Sequence, residues 1–184
     1  ASWHTYVNYG DSRMMERFYP NMQKWIGFAE SNYDEKGLLR DWGVNEHRHW
    51  YLGDWATPVG IEQRDPLSVD LVSNCVMSYS YGLMAKIASV LGKVQDAEEY
   101  IRRKDFHNGL IHANFFDEET SLYSTGTQID MIYPMLVGAT PDSRVKDVRE
   151  ALFRETADRF NGHLSTGLVG VPVMTQWVTE NGEA

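Results

Sequence analysis

The sequence has one cysteine, Cys75, among 184 residues. This excludes an internal disulfide and a cysteine-built metal cluster, and a lone thiol is expected as a small buried apolar group. Positive charge is in deficit. Seventeen Lys and Arg against 26 Asp and Glu give a net charge of −9, which argues against a nucleic-acid partner because such partners need a basic face. No apolar run approaches the roughly 18 residues of a membrane span, so no membrane insertion is expected. No signal peptide is visible at Ala1, and the chain opens inside what reads as structured sequence. Several catalytic signatures are also missing. There is no HExxH pair on a helix, no G-x-S-x-G elbow, no GxxxxGK[ST] phosphate loop and no GxGxxG. His47 and His49 lie two apart beside Glu46, a spacing that suits a solvated loop better than a zinc site. No metal and no cofactor is expected.

Strand patterning is scarce too. No stretch alternates apolar and polar residues convincingly over six positions, whereas helical spacing recurs. Asp11 is placed to cap a helix over 11–20, with Met14, Met15 and Phe18 on one face and Pro20 expected to break or kink it. Residues 21–31 continue at helical spacing, and 32–39 read as a turn. Asp65 and Pro66 suit a helix start, and Leu67, Leu71, Cys75, Tyr79, Leu83, Ile87 and Leu91 form an apolar stripe that ends at Gly92. Further helices are expected over about 95–103, 143–160 and 172–180, with shorter segments near 108–116 and 125–137. Helices joined by short turns imply antiparallel neighbours. Both ends read as cut, so 1–184 is expected to be a single, partial, all-α domain.

What the chain has in excess is aromatic side chains: six Trp and ten Tyr. These serve cores, but they also stack on the C–H faces of sugars while their N–H or O–H ends form hydrogen bonds. They gather in the aperiodic stretch 40–64, with Trp42, Trp50, Tyr51 and Trp55 beside Glu46, Asp54 and Glu62. A loop of this length in a compact domain is usually functional. Within 51-YLGDWATPVG-60, Gly53 lets the backbone turn and Trp55 can wall a pocket beside Asp54. Glycoside cleavage needs an acid and a base, and Glu46, Asp54, Glu62 and Asp70 are candidates among which spacing selects no pair.

Five blocks of the sequence, taken in order, resemble the catalytic domain of bacterial α-L-rhamnosidases, glycoside hydrolase family 78. They are 3-WHTYVNYGDSRMMERFYPNMQKWIGF-28, 50-WYLGDWATP-58, 74-NCVMSYSYGLMAKIASVLGKVQDAEEY-100, 124-STGTQIDMIYPMLVGATP-141 and 163-HLSTGLVGVP-172. The GDW and HLSTG blocks are the more specific ones. The resemblance implies a portion of an (α/α)6 barrel, roughly its middle half, from an inverting enzyme that removes terminal α-L-rhamnose from glycans or glycosides. It also implies that the general acid lies upstream of Trp3 and the general base beyond Ala184, so that this stretch alone is inactive.

What carries over is the pocket wall. Trp3 and Tyr9 match a W-x5-Y pair, and Trp55 matches the tryptophan of the GDW block. Asp54 is expected either to bond a sugar hydroxyl or to hold its loop, and His163 to reach the pocket rim. Two other readings stay open: a different helical-toroid glycosidase or polysaccharide lyase, and a non-catalytic helical module that binds carbohydrate or protein. Half a barrel would expose apolar helix faces, which predicts self-association through them.

Overall fold

A computed structural model describes residues 2–40, 53–58 and 65–182. In chain order its elements are α1 (Ser2–Tyr9), α2 (Arg13–Glu30), α3 (Pro66–Val90), α4 (Val94–Phe115), the strands β1 (Phe116–Asp117) and β2 (Leu122–Tyr123), α5 (Gln128–Val137), α6 (Asp142–Arg154) and α7 (Gly170–Asn181). A π-helical turn over Glu155–Arg159 continues α6. The two strands form a minimal antiparallel hairpin with Phe116 opposite Tyr123. Helix dominates the described residues, as the lack of alternation implies.

The start of α3 follows from local chemistry. Asp65 accepts the Leu67 amide at 2.8 Å, and Pro66 occupies the first helical turn, where its missing N–H costs nothing. Past the end of α3, Gly92 takes a φ of +69°, which suits a residue without Cβ. The chain reverses there, and α4 packs back along α3.

Three boundaries differ from the sequence expectation. First, α2 runs unbroken through Pro20. Pro20 is exposed, so the Glu16 carbonyl that it leaves unpaired faces water rather than the core. Asp11 does not cap this helix; it accepts the Arg13 amide at 3.0 Å and the Arg13 guanidinium at 2.6 Å. Second, the expected 95–103 and 108–116 segments are one 22-residue helix, α4. Packing against α3 overrides the weak propensity of the stretch around Gly109. Third, the 143–160 helix loses its α-helical register after Arg154.

Two apolar clusters share α3. Leu71, Val72 and Cys75 pack with Ile111 and Phe115 of α4, with α5, and with Val148, Leu152 and Trp177. Further along α3, Met77, Tyr81, Met84 and Ile87 pack with Met15, Tyr19 and Ile26 of α2 and with Tyr100 of α4. Each fully buried Leu, Ile or Met there contributes on the order of 2 kcal/mol. Cys75 is buried as expected, and burial pushes its thiol pKa well up.

Buried amides fasten these layers. The Asn74 side chain donates to the carbonyls of Leu39 (2.9 Å) and Asp70 (2.8 Å) and accepts the Leu39 amide (2.9 Å). Asn108 accepts from Ser78 at 2.5 Å and donates to the Val137 carbonyl at 3.0 Å.

Candidate functional site

The stretch 53–58 is a tight turn laid on the first turns of α3. Gly53 has φ +60°, and a Cβ there would lie 3.0 Å from the Val69 Cα. Ala56 has φ +59°, a left-handed conformation that costs an L-residue roughly 1–2 kcal/mol. A turn of this kind persists only where surrounding contacts hold it.

Those contacts come from 167–170. Asp54 is 7% exposed. One carboxylate oxygen accepts the Gly167 amide at 2.7 Å; the other accepts the Gly170 amide at 2.8 Å and the Val169 amide at 3.1 Å. The Trp55 carbonyl accepts the fourth amide, that of Leu168, at 2.8 Å. Four successive N–H groups, from Gly167 to Gly170 at the first residue of α7, thus donate into the Asp54–Trp55 turn. A helix start leaves such donors orphaned and carries partial positive charge. Asp54 satisfies both demands from a distant part of the chain.

This docking needs glycine on the far side. A Cβ on Gly167 would collide with the Trp55 carbonyl, and one on Gly170 would fall 2.7 Å from the Asp54 carboxylate and against the Thr166 side chain. The spacing of Gly167 and Gly170 therefore matches two successive close approaches.

Gln128 fixes the preceding residues. Its amide oxygen accepts the Ser165 N–H at 2.8 Å, and its amide nitrogen donates to the His163 carbonyl at 3.0 Å and to the Thr156 hydroxyl at 3.1 Å. Residues 163–170 are thus strapped down twice, by Gln128 and by Asp54. A cavity of about 100 Å³ opens between the straps, with Asp54, Thr57, Ser68, Gln128, Ser165 and Thr166 among its lining residues. Glu155 and Arg159, paired at 3.0 Å, also line it. The buried Thr166 hydroxyl has no hydrogen-bond partner among the described residues. Such a lining suits ordered water or a hydroxyl-bearing ligand.

Beside the cavity, buried Asp130 accepts from the Ser68 hydroxyl (2.5 Å), the Thr125 hydroxyl (2.6 Å) and the Thr125 amide (3.1 Å). Burial outweighs these bonds and holds the carboxyl above the ordinary Asp range. Asp70 is engaged as an ion-pair partner of Arg40 at 2.7 Å.

The residues singled out in the sequence fall into two places. Asp54 and Trp55 meet the 163–170 segment. The Trp55 side chain is 39% exposed, and that of His163 is exposed while its main chain is held by Gln128 and Phe160. Trp3 and Tyr9 lie elsewhere. Trp3 stands beside Tyr6, with the Lys86 ammonium 5.9 Å from its ring centre. It lines a groove of about 420 Å³ with Met14, Phe18, Trp25, Leu83 and Ile87. Gly53 abuts Val69, so the helical rise to Lys86 separates the two places by roughly 25 Å. Tyr9 is 82% exposed. The described residues thus do not gather Trp3, Tyr9 and Trp55 into one wall. Trp42, Glu46, His47, His49, Trp50, Tyr51 and Glu62 lie outside the described residues. Sequence reasoning missed Gln128, Gly167 and Gly170, whose signals were a lone amide in an apolar segment and a G-x-x-G spacing.

Among the described residues, no group of three or more His, Cys, Asp or Glu is placed to hold a metal ion. No described helix is long and apolar enough to cross a membrane.

Residues 1–184 match the family model described as bacterial alpha-L-rhamnosidase 6 hairpin glycosidase domain. The chain is 26% identical over 188 residues to an alpha-L-rhamnosidase of Alteromonas sp., covering 98% of this chain and 19% of that protein. It is 25% identical to one from Streptomyces avermitilis, covering 98% and 16%. Among solved structures, the alpha-L-rhamnosidase from Dictyoglumus thermophilum superposes with a TM-score of 0.83 at 24% identity, over 98% of this chain and 20% of that one. The Streptomyces avermitilis enzyme complexed with L-rhamnose superposes with a TM-score of 0.80 at 22% identity, over 98% and 16%. The chain therefore spans about a fifth or less of the length of these relatives.

Proposed function

The chain belongs to the bacterial α-L-rhamnosidase six-hairpin glycosidase family, and from that premise we propose that it is the middle portion of an (α/α)6 barrel that removes terminal α-L-rhamnose from glycans or glycosides. Its part in that activity is to supply scaffold and one sugar-facing wall. The observation that carries this reading is the Asp54–Trp55 turn, whose carboxylate and main-chain carbonyl accept four amides of the 167–170 segment while the Trp55 residue stays 39% exposed.

Rhamnose is a 6-deoxy sugar. Its methyl and ring C–H groups form an apolar surface, and covering that surface with an indole contributes roughly 25 cal/mol per Å². The hydroxyl-rich cavity beside the turn suits the polar side of such a ring. In the inverting reaction, a carboxylic acid protonates the leaving glycosidic oxygen. A second carboxylate takes a proton from the water that attacks the anomeric carbon from the opposite face. Neither group is assigned to this chain: Asp54 is committed to main-chain amides and Asp70 to Arg40. The exposed Met14, Phe18 and Trp25 are where neighbouring barrel helices would pack, and the segment alone would self-associate there.

Hydrolysis of an aryl α-L-rhamnoside tests the proposal. A polypeptide of the relatives' length that contains this segment should turn the substrate over, and the 184-residue chain alone should not. Turnover by the short chain would show that acid and base lie within it. No turnover of α-L-rhamnosides by the long one, alongside cleavage of another glycoside, would replace the substrate class.

A further inference from the structure

We infer that Asp54 is a positioning residue for Trp55, acting through the 167–170 amides rather than by touching the sugar. Its service to sugar binding rests on the reading of Trp55 as the sugar-facing wall. Both carboxylate oxygens accept from main-chain donors, at 2.7, 2.8 and 3.1 Å. The side chain is 7% exposed, so little of it faces any ligand. What it fixes is the neighbouring peptide: Trp55 gives its carbonyl to the Leu168 amide at 2.8 Å, and Ala56, next in line, is held with φ at +59°. The first turn of α7 carries no acidic residue of its own, so without the carboxylate the positive helix start and the left-handed residue lose the contacts that hold them, and the turn is free to relax. The indole is only partly buried, so its direction is set by the backbone that carries it.

Two variants separate positioning from direct contact. Asp54→Asn keeps the shape but presents an amino group to amide donors. Gly167→Ala leaves the carboxylate intact and drives a methyl into the Trp55 carbonyl. With 5-fluorotryptophan in the chain, six fluorine signals report the six indoles, and Trp55→Phe identifies the one from Trp55. Positioning predicts that both variants shift or broaden the Trp55 signal and leave those of Trp3 and Trp25 in place. It also predicts that both weaken L-rhamnose binding by on the order of tenfold. An unmoved Trp55 signal in both variants overturns the inference. So does loss of sugar binding in Asp54→Asn with normal binding in Gly167→Ala, since that pattern marks Asp54 as a sugar ligand. If a polypeptide of the relatives' length that contains this segment binds no L-rhamnose while the Trp55 signal still moves, the positioning role stands and the sugar reading falls. Should Asp54→Asn fail to fold, with all six signals collapsing, Gly167→Ala and Gly170→Ala decide the matter with the carboxylate present.

Discussion

Gln128 Oε1 accepts the main-chain N–H of Ser165 at 2.8 Å across 37 residues of sequence. Both groups sit at the edge of the polar cavity, and the same side chain also bonds the His163 carbonyl and the Thr156 hydroxyl. Gln128→Leu keeps the volume and strands the Ser165 amide and the His163 carbonyl, while the Thr156 hydroxyl keeps its bond to the Leu152 carbonyl at 2.8 Å. At about 1–3 kcal/mol for each buried group left unsatisfied, a loss of roughly 3 kcal/mol is expected in denaturant unfolding. Hydrogen exchange at Ser165 should accelerate in the same variant. Unchanged exchange there would show that the strap is held by something else.

Asn74 is fully buried and closes a ring of hydrogen bonds with Leu39 and Asp70. Asn74→Ala removes three side-chain hydrogen bonds, two of them to the Leu39 main chain and one to the Asp70 carbonyl, and about 2–3 kcal/mol of stability should go. The Arg40–Asp70 pair depends on the same anchoring, so Asp70→Asn should cost less in the Asn74→Ala background than in the wild type. Strict additivity in that double-mutant cycle would break the link.

His107 is buried, stacked on Tyr33 with ring centres 5.4 Å apart and edge-on to Tyr81 at 5.9 Å. Burial lowers its pKa from 6.5 to about 4, opposed in part by a hydrogen bond to the Asn74 main chain. The folded state therefore holds neutral imidazole. Its contribution to stability is fully present above pH 6.5 and is lost as pH falls toward 4, by up to about 3 kcal/mol. His107→Phe should flatten this part of the stability–pH curve. An equally steep curve in the variant would assign the acid loss to other groups.

Asp130 runs the other way. Burial raises its pKa, so folding disfavours the ionised form relative to the unfolded chain, and this penalty develops as pH rises from the ordinary Asp range through the folded pKa. Asp130→Asn can still accept from Thr125 and turn its amino group toward Ser68. It should be at least as stable as wild type at neutral pH. Asp130→Ala leaves the Ser68 and Thr125 donors unpaired and should lose about 2–3 kcal/mol. Thermal melts of the two variants from pH 4 to 8 check both signs.

Local chemistry was legible in the sequence. Asp65, Pro66 and Gly92 bound α3 as expected because caps and glycine turns act over a few residues. The family was legible in the order of five blocks. Pro20 misled because its effect depends on which side of α2 meets water, and the division of α4 misled because packing on α3 decides it. The partners of Asp54 were hidden for a plainer reason: Gly167 lies 113 residues away. The GDW and HLSTG blocks were each visible, but nothing in a single sequence says that one docks on the other. Trp3 and Trp55 were assigned to the same wall because each matches an aromatic position of the family's blocks, and α3 sets them apart by its length.

The most direct measurement is a nuclear Overhauser experiment between ¹³C-labelled L-rhamnose and a protein of the relatives' length that contains this segment. The sugar's C6 methyl should show contacts to indole protons that vanish in Trp55→Phe. Methyl contacts that survive Trp55→Phe unchanged would move the sugar away from the Asp54–Trp55 turn, and the wall proposed for this segment would not exist.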